Sequence, residues 1–293
     1  MNKSNNKMSF EEIRSNRERF LKEYGIVSEF NKSGCDWDEL MRIGQAHEEA
    51  IKSDEYSNIV TSYLSEISKF DKVHSYSSRV KATDSLLKKI ITKSAKKGIK
   101  INFNNYLTEI TDLIGIRIIY IFKEDYYRIY EQINEKYSNR FAENIHIKLR
   151  TGDDKKIYQK ILQNTDPIIE ENNVYRSIHY TLYSKRDEEK AYPKIEIQTR
   201  TIFEEGWGEI SHSLVYKNTV TDMSDSSNIL DESSKILSAL VGNCDSIATL
   251  MKTIYDEYVN LQQEGTEDDV PVSSEGTDDK AVVRNIMKKF LID

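Results

Sequence analysis

Proline is nearly absent from this chain, with 3 in 293 residues, and glycine is scarce at 11. That excludes a collagenous or mostly disordered polymer. Cysteine is scarce too: Cys35 and Cys244 stand far apart and fit neither a disulfide framework nor a zinc-ligand spacing. A reducing, cytoplasmic compartment is therefore expected. No apolar run approaches the roughly 20 residues that span a bilayer. The richest stretch, Leu113 to Phe122, is interrupted by Arg117, and the polar residues 1–7 lead into no apolar signal region; no membrane partner is expected. A basic surplus is also missing. The net charge of −7 argues against a long nucleic-acid footprint, whose affinity rests on phosphate neutralisation. What the chain does have is 38% hydrophobic and 31% charged residues over a length that suits one large domain or two small ones.

Hydrophobic spacing divides the chain. Residues 1–75 read as a helical N-terminal extension: one helix from Phe10 to Tyr24 with Gly25 as its stop, a second from Asp36 to Ile51 with Asp36 as N-cap, and a third marked by Ile59, Tyr63, Ile67 and Phe70. Thr83 or Asp84 would cap the next helix and Gly98 would end it. The run from Ile114 to Phe122 is β-branched and nearly continuous, as in a buried central strand. Helix returns over 125–137, and alternating strands follow at 144–149, 175–183 and 194–199. The stretch 150–174, with Gly152, Asp153, Asp154 and Pro167, reads as irregular. Helices resume at 201–217 and 231–262. Residues 263–280 form an acidic linker, and 281–293 a short amphipathic helix. The expected class is α+β, with a mixed sheet of about four to five strands flanked by helices. Its central unit spans 76–220, and a C-terminal helical region spans 221–262.

Four segments put polar chemistry where regular structure would not require it. Arg79, Lys81, Ser85 and Lys88 surround a helix N-terminus, which suits a phosphate site or simply a solvated basic face. Asp112 stands at the entrance of the most apolar strand and Arg117 lies inside it. The pair reads either as metal ligand and phosphate or base contact, or as a structural ion pair. On a strand, Tyr175, Ser177 and His179 share one face; they suit a base and its ribose, or a plain polar edge. Glu196, Gln198 and Arg200 share a face opposite Ile195 and Ile197, with the carboxylate suited to metal or general-base work. Downstream, Trp207, Ile210 and Leu214 give a helix its core face, with Glu209 and His212 beside them and Lys217 beyond.

Taken together and in this order, the Arg79-Val80-Lys81 block, the DLIGIR run from Asp112, the YRSIH run from Tyr175, EIQTR from Glu196 and the W-x-E-I-x-H run from Trp207 resemble the synthetase domain of RelA/SpoT-type alarmone synthetases. The resemblance implies a nucleotidyltransferase-like synthetase fold and transfer of pyrophosphate from ATP to the 3′-hydroxyl of GDP or GTP, giving AMP and (p)ppGpp in stringent-type signalling. It implies that Arg79 and Arg117 sandwich the adenine, with Lys81, Ser85 and Lys88 near the ATP phosphates. Asp112 and Glu196 would hold Mg²⁺, and Glu196 would take the proton of the 3′-hydroxyl. Tyr175 would stack on the acceptor guanine, with Arg176, His179, Gln198 and Arg200 around the acceptor. Val174 stands where the family usually has Gly. No His-Asp dipeptide occurs, so a stand-alone synthetase without hydrolase activity is implied. Toxins of the same fold modify the tRNA 3′ end or make adenosine alarmones. That alternative would bring tRNA or an antitoxin as partner, and a homo-oligomer is compatible with either. A third alternative is a nucleotide-binding regulator without catalysis.

Overall fold

The computed structural model describes residues 8–172, 175–185, 192–213 and 224–267, with side chains in the last segment from 232 to 260. Five helices open the chain: α1 (Phe10–Ser15), α2 (Arg17–Glu23), α3 (Val27–Ser33), α4 (Trp37–Lys52) and α5 (Glu55–Ile67). The single helix expected from Phe10 to Tyr24 breaks at Asn16. There the backbone leaves helical geometry (φ −145°), and the side chain caps α2 by accepting from the Arg19 N–H. Asp36 caps α4 as expected, accepting from the Glu39 N–H.

There follow β1 (Ser75–Val80), α6 (Thr83–Lys97), α7 (Tyr106–Glu109), β2 (Ile114–Tyr120), α8 (Tyr126–Tyr137), β3 (His146–Arg150), α9 (Gln159–Asn164), β4 (Ile168–Asn172), β5 (Ser177–Tyr183), β6 (Lys194–Thr201), α10 (Ile202–Ser211) and α11 (Ser224–Glu267). Gly98 ends α6 in the left-handed region at φ 65°, but its N-cap is Ala82, which offers no side-chain cap. Helix α11 crosses the expected boundary at 262. The rest of the predicted linker and the segment 281–293 lie outside the described residues.

The strands form one mixed sheet in the order β1-β2-β6-β5-β3-β4. The β2–β6 and β3–β4 pairs are parallel and the other three antiparallel. Six strands replace the expected four to five. The two that periodicity misses, β1 and β4, are the sheet's edges, where Ser-Tyr-Ser-Ser-Arg-Val and Ile-Ile-Glu-Glu-Asn bury too little to alternate cleanly.

The strand period of two gives the sheet two unlike faces. Ile114, Ile116 and Ile118 of β2, Ile195 and Ile197 of β6, Ile178, Tyr180 and Leu182 of β5, and Ile147 and Leu149 of β3 pack with α5 and α8 in one core. A second core joins α1, α2 and α4 to α6 through Phe10, Ile13, Phe20, Leu40 and Ile43 against Leu86, Leu87, Ile90 and Ile91. Residues 8–75 are thus divided between two cores: α5 lies under the sheet, and the preceding helices build a layer around α6. Helix α11 lies against α10. Its opposite face presents Ile236, Leu240, Ile247 and Met251, all exposed.

Candidate active site

The other face of the sheet is polar, and the pairing register aligns its residues in rows. Arg79 stands beside Gly115, which stands beside Glu196. In the next row Ser77, Arg117, Gln198 and His179 follow one another across β1, β2, β6 and β5. A Cβ at Gly115 would lie 3.4 Å from Cγ and Nε of Arg79; glycine there lets the Arg79 side chain lie over β2. Arg79, Arg117, Tyr175, His179, Gln198 and Arg200 line a cleft of about 550 Å³, closed on one side by Trp207, Glu209 and His212 from α10 and its end. Six residues singled out from sequence therefore meet in one cavity.

Glu196 is the hub of this face. His179 Nδ1 lies 3.1 Å from one carboxylate oxygen, Gln198 donates to the other at 2.7 Å, and Arg200 donates to Gln198 at 2.6 Å. Burial alone would raise the Glu196 pKa, but the hydrogen bond from His179, the charge that ring carries at acid pH, the hydrogen bond from Gln198 and the charge of Lys89 outweigh it and lower the group to about 2. Burial pushes His179 below the usual imidazole value despite that carboxylate. A neutral ring with Nδ1–H directed at Glu196 leaves Nε2 as an acceptor. That atom is buried and has no hydrogen-bond partner among the described residues.

Asp112 lies just before β2, beside the cleft. Lys81 donates to its Oδ2 at 2.8 Å, and Lys89 stands 2.8 Å from Oδ1. Burial would raise this carboxyl; the two ammonium groups, Lys89 foremost, bring it below the ordinary aspartate value. Lys89 also lowers the Glu196 pKa through its charge. Asp112 Oδ1 is buried and faces the Lys89 ammonium. Asp112 and Glu196 offer the hard oxygen donors that Mg²⁺ takes, one or two carboxylates with water and substrate phosphate completing its shell, and a cation on Asp112 Oδ1 would displace the Lys89 ammonium. No cluster of three or more metal-ligating side chains occurs among the described residues.

The remaining residues divide. Tyr175 precedes β5 instead of sharing its face, and Asn172 ties both its N–H and its carbonyl. Its ring stacks on Trp207 (centroids 5.6 Å, planes 12° apart), and Lys148 Nζ lies 5.6 Å from the ring centre. Arg117 pairs with Glu205 and Glu209, each at 2.7 Å, and Arg200 with Glu205 at 3.4 Å. Ser85 heads α6, where its N–H donates to Asp84. Lys88 is exposed and lies over the Tyr24 ring, away from Asp112.

Arg176 requires a correction: it is buried away from the cleft among Asp153, Glu204 and Asp245. Tyr175 and Arg176 are consecutive in the approach to β5, and their side chains part there, Tyr175 to the cleft and Arg176 to the buried acidic groups. Val174 and Lys217 lie outside the described residues. Sequence reasoning passed over Lys89, although Ser85 and Lys89 stand one helical turn apart at i,i+4. It also passed over Lys148, whose alternation with Ile147 and Leu149 was the available signal, and Glu205, for which there was none.

Residues 78–221 match a family model described as a region found in RelA / SpoT proteins. The GTP pyrophosphokinase YwaC of Bacillus subtilis (strain 168) is 28% identical over 145 residues, covering 48% of this chain and 57% of that protein. The chain therefore matches little more than half the length of this curated relative. The crystal structure of the small alarmone synthetase 1 from Bacillus subtilis aligns at 20% identity and a TM-score of 0.42, over 82% of this chain and 98% of the other. A GTP pyrophosphokinase family protein from Streptococcus pneumoniae aligns at 22% identity and a TM-score of 0.41, over 80% and 98%.

Proposed function

On the premise that residues 78–221 belong to the RelA/SpoT family, we propose that this cleft transfers a pyrophosphoryl group from ATP to the 3′-hydroxyl of GDP or GTP, making (p)ppGpp and AMP. The observation that carries the reading is the in-register polar face. It sets three arginines, a stacked aromatic pair, Gln198 and His179 around one cavity, with Glu196 held behind His179 and Gln198 and with Asp112, paired to two lysines, just before β2.

Each part has a place in the reaction. Arg79 and Arg117 stand on neighbouring strands, a spacing that suits two guanidinium planes on either side of an adenine. Lys81 and Lys89 supply charge for the donor phosphates. Tyr175, backed by Trp207, offers a rigid platform for the acceptor base. A divalent cation bound by Asp112 and Glu196 would neutralise charge developing on the phosphates. The acceptor oxygen bonds to the β-phosphorus of ATP while the bond from that phosphorus to the α–β bridging oxygen breaks, AMP departs, and the hydroxyl proton passes to Glu196. A carboxylate held at about 2 is a weak base, but transfers of this kind ask for alignment more than proton affinity. His179 keeps Glu196 in place and offers Nε2 to the acceptor.

The test is a transfer assay with γ-labelled ATP and Mg²⁺, with GMP, GDP, GTP, ATP alone and deacylated tRNA as parallel acceptors. Label on a guanine nucleotide is expected. Label on tRNA or an adenine nucleotide would make the chain a toxin of the same fold, and no transfer to any acceptor would overturn the catalytic reading.

A further inference from the structure

We infer that His47, in the helical layer that precedes the sheet, is a positioning residue for the donor site: it fixes the backbone of Lys81 so that the Lys81 ammonium stands on Asp112. The inference rests on the pyrophosphoryl-transfer reading and gives the N-terminal helices a part in it.

His47 is completely buried on α4, where its ring joins two groups. Nδ1 lies 3.0 Å from the Tyr56 hydroxyl and Nε2 lies 2.7 Å from the Lys81 carbonyl. A carbonyl only accepts, so Nε2 carries the proton. In a neutral ring Nδ1 is then an acceptor, and Tyr56 donates to it. The Lys81 carbonyl thus sets the tautomer, and the buried Tyr56 hydroxyl, donating to Nδ1, holds the orientation of the ring.

Lys81 is held at three points. Its N–H donates to the Leu113 carbonyl at 2.9 Å, its own carbonyl receives His47, and its ammonium reaches Asp112 at 2.8 Å. The neighbouring turn is gripped in the same way: Thr83 donates to Glu48 of α4, and the Tyr24 hydroxyl donates to Asp84. Ala82 supplies no cap of its own to α6. The approach to that helix, with Lys81 on one side and Ser85 on the other, is therefore shaped by side chains of the first helical layer.

A lysine has four rotatable side-chain bonds, so its ammonium is placed reproducibly only when its Cα is. A misplacement of the order of 1 Å in such a group is enough to cost activity. An apolar residue at 47 would fill the same space in the core but leave the Lys81 carbonyl buried without its donor.

The experiment measures binding of a non-hydrolysable ATP analogue by calorimetry, together with KM for ATP and for GTP, in the full chain and in His47→Leu, His47→Gln and Tyr56→Phe. His47→Leu should raise the ATP-analogue Kd and the ATP KM about tenfold with the GTP KM unchanged. His47→Gln, whose amide can donate from nearly the position of Nε2, should stay within about twofold of wild type on the same hydrogen-bond argument. Tyr56→Phe, which keeps the packing and removes the hydroxyl that holds Nδ1, should raise the ATP KM about threefold. It carries the test if His47→Leu does not fold. Unchanged ATP affinity in folded His47→Leu, or in Tyr56→Phe where only that variant folds, overturns the inference. So does an equal rise in both KM values with no rescue by glutamine, the mark of general loosening. Failure of the wild type to bind the analogue would overturn the donor-site reading itself, and the inference with it.

Discussion

Two charged clusters lie on either side of residue 175, and they obey different rules. The cleft cluster, with Arg117, Arg200, Glu205, Glu196 and His179, opens to solvent along one face of the sheet. The other is sealed between the strand ends and α11. There Arg150 meets Glu204 at 2.6 Å, and Arg176 meets Asp153, Glu204 and Asp245 at 3.3, 3.4 and 3.7 Å. Gly242 of α11 makes room for this cluster, since a Cβ there would lie 3.2 Å from the nearest nitrogen of each arginine. Consecutive residues serve opposite clusters: Tyr175 and Arg176, and again Glu205 and Glu204. The same residue types are available for ligand in one place and committed to fastening a helix in the other; access to solvent makes the difference.

The largest effect that would sharpen this contrast is on stability. Arg176→Met should cost about 3–5 kcal/mol in chemical denaturation, because Asp245 would be left buried without its ion-pair partner and Glu204 with Arg150 alone. Its KM values per folded molecule should stay close to wild type; a specific rise in the acceptor KM would return Arg176 to the site. Asp112→Asn should reverse that pattern, with transfer falling by at least about 10²–10³-fold while the circular dichroism spectrum is kept. Tyr175→Ala should raise the acceptor KM, not the ATP KM, by the equivalent of about 1–3 kcal/mol of lost base stacking.

Acidity separates the clusters by sign. Glu196 has a folded-state pKa depressed from 4.5 to about 2, so its contribution to stability is present above the unfolded value and is lost as pH falls through that window. Burial raises Glu204 despite Arg150 and Arg176, so its contribution runs the other way and is lost as pH rises through its folded-state value. Unfolding of Glu196→Gln between pH 5 and pH 2 should therefore depend less on pH than unfolding of the wild type; an unchanged slope would contradict the assignment. The smallest effect belongs to Lys88. Lys88→Ala should leave the ATP KM within about twofold, as for an exposed side chain, whereas Lys89→Ala should raise it clearly.

Legibility varied with the kind of signal. Strand β6 was readable in detail because Ile195 and Ile197 alternate with Glu196, Gln198 and Arg200, and one period orders both core and cleft. Strand β1 was not, since an exposed edge has no apolar alternation to read. Its Arg79 was recognised as a site residue while its element was read as the approach to a helix. Of the expected core face of α10, Trp207 buries its indole and also backs Tyr175, whereas Ile210 is exposed and Leu214 lies outside the described residues.

Local periodicity by itself determined that this chain builds a sheet with one apolar and one polar face, and that Glu196, Gln198 and Arg200 share the polar one, because side-chain direction along a strand needs no knowledge of its neighbours. Only the tertiary structure decided that Lys89 and not Lys88 meets Asp112, that Arg176 is sealed under α11, and that His47 and Tyr24 hold residues 34 and 60 positions further on. Those outcomes depend on how separate elements pack, and no local period encodes the distance between them.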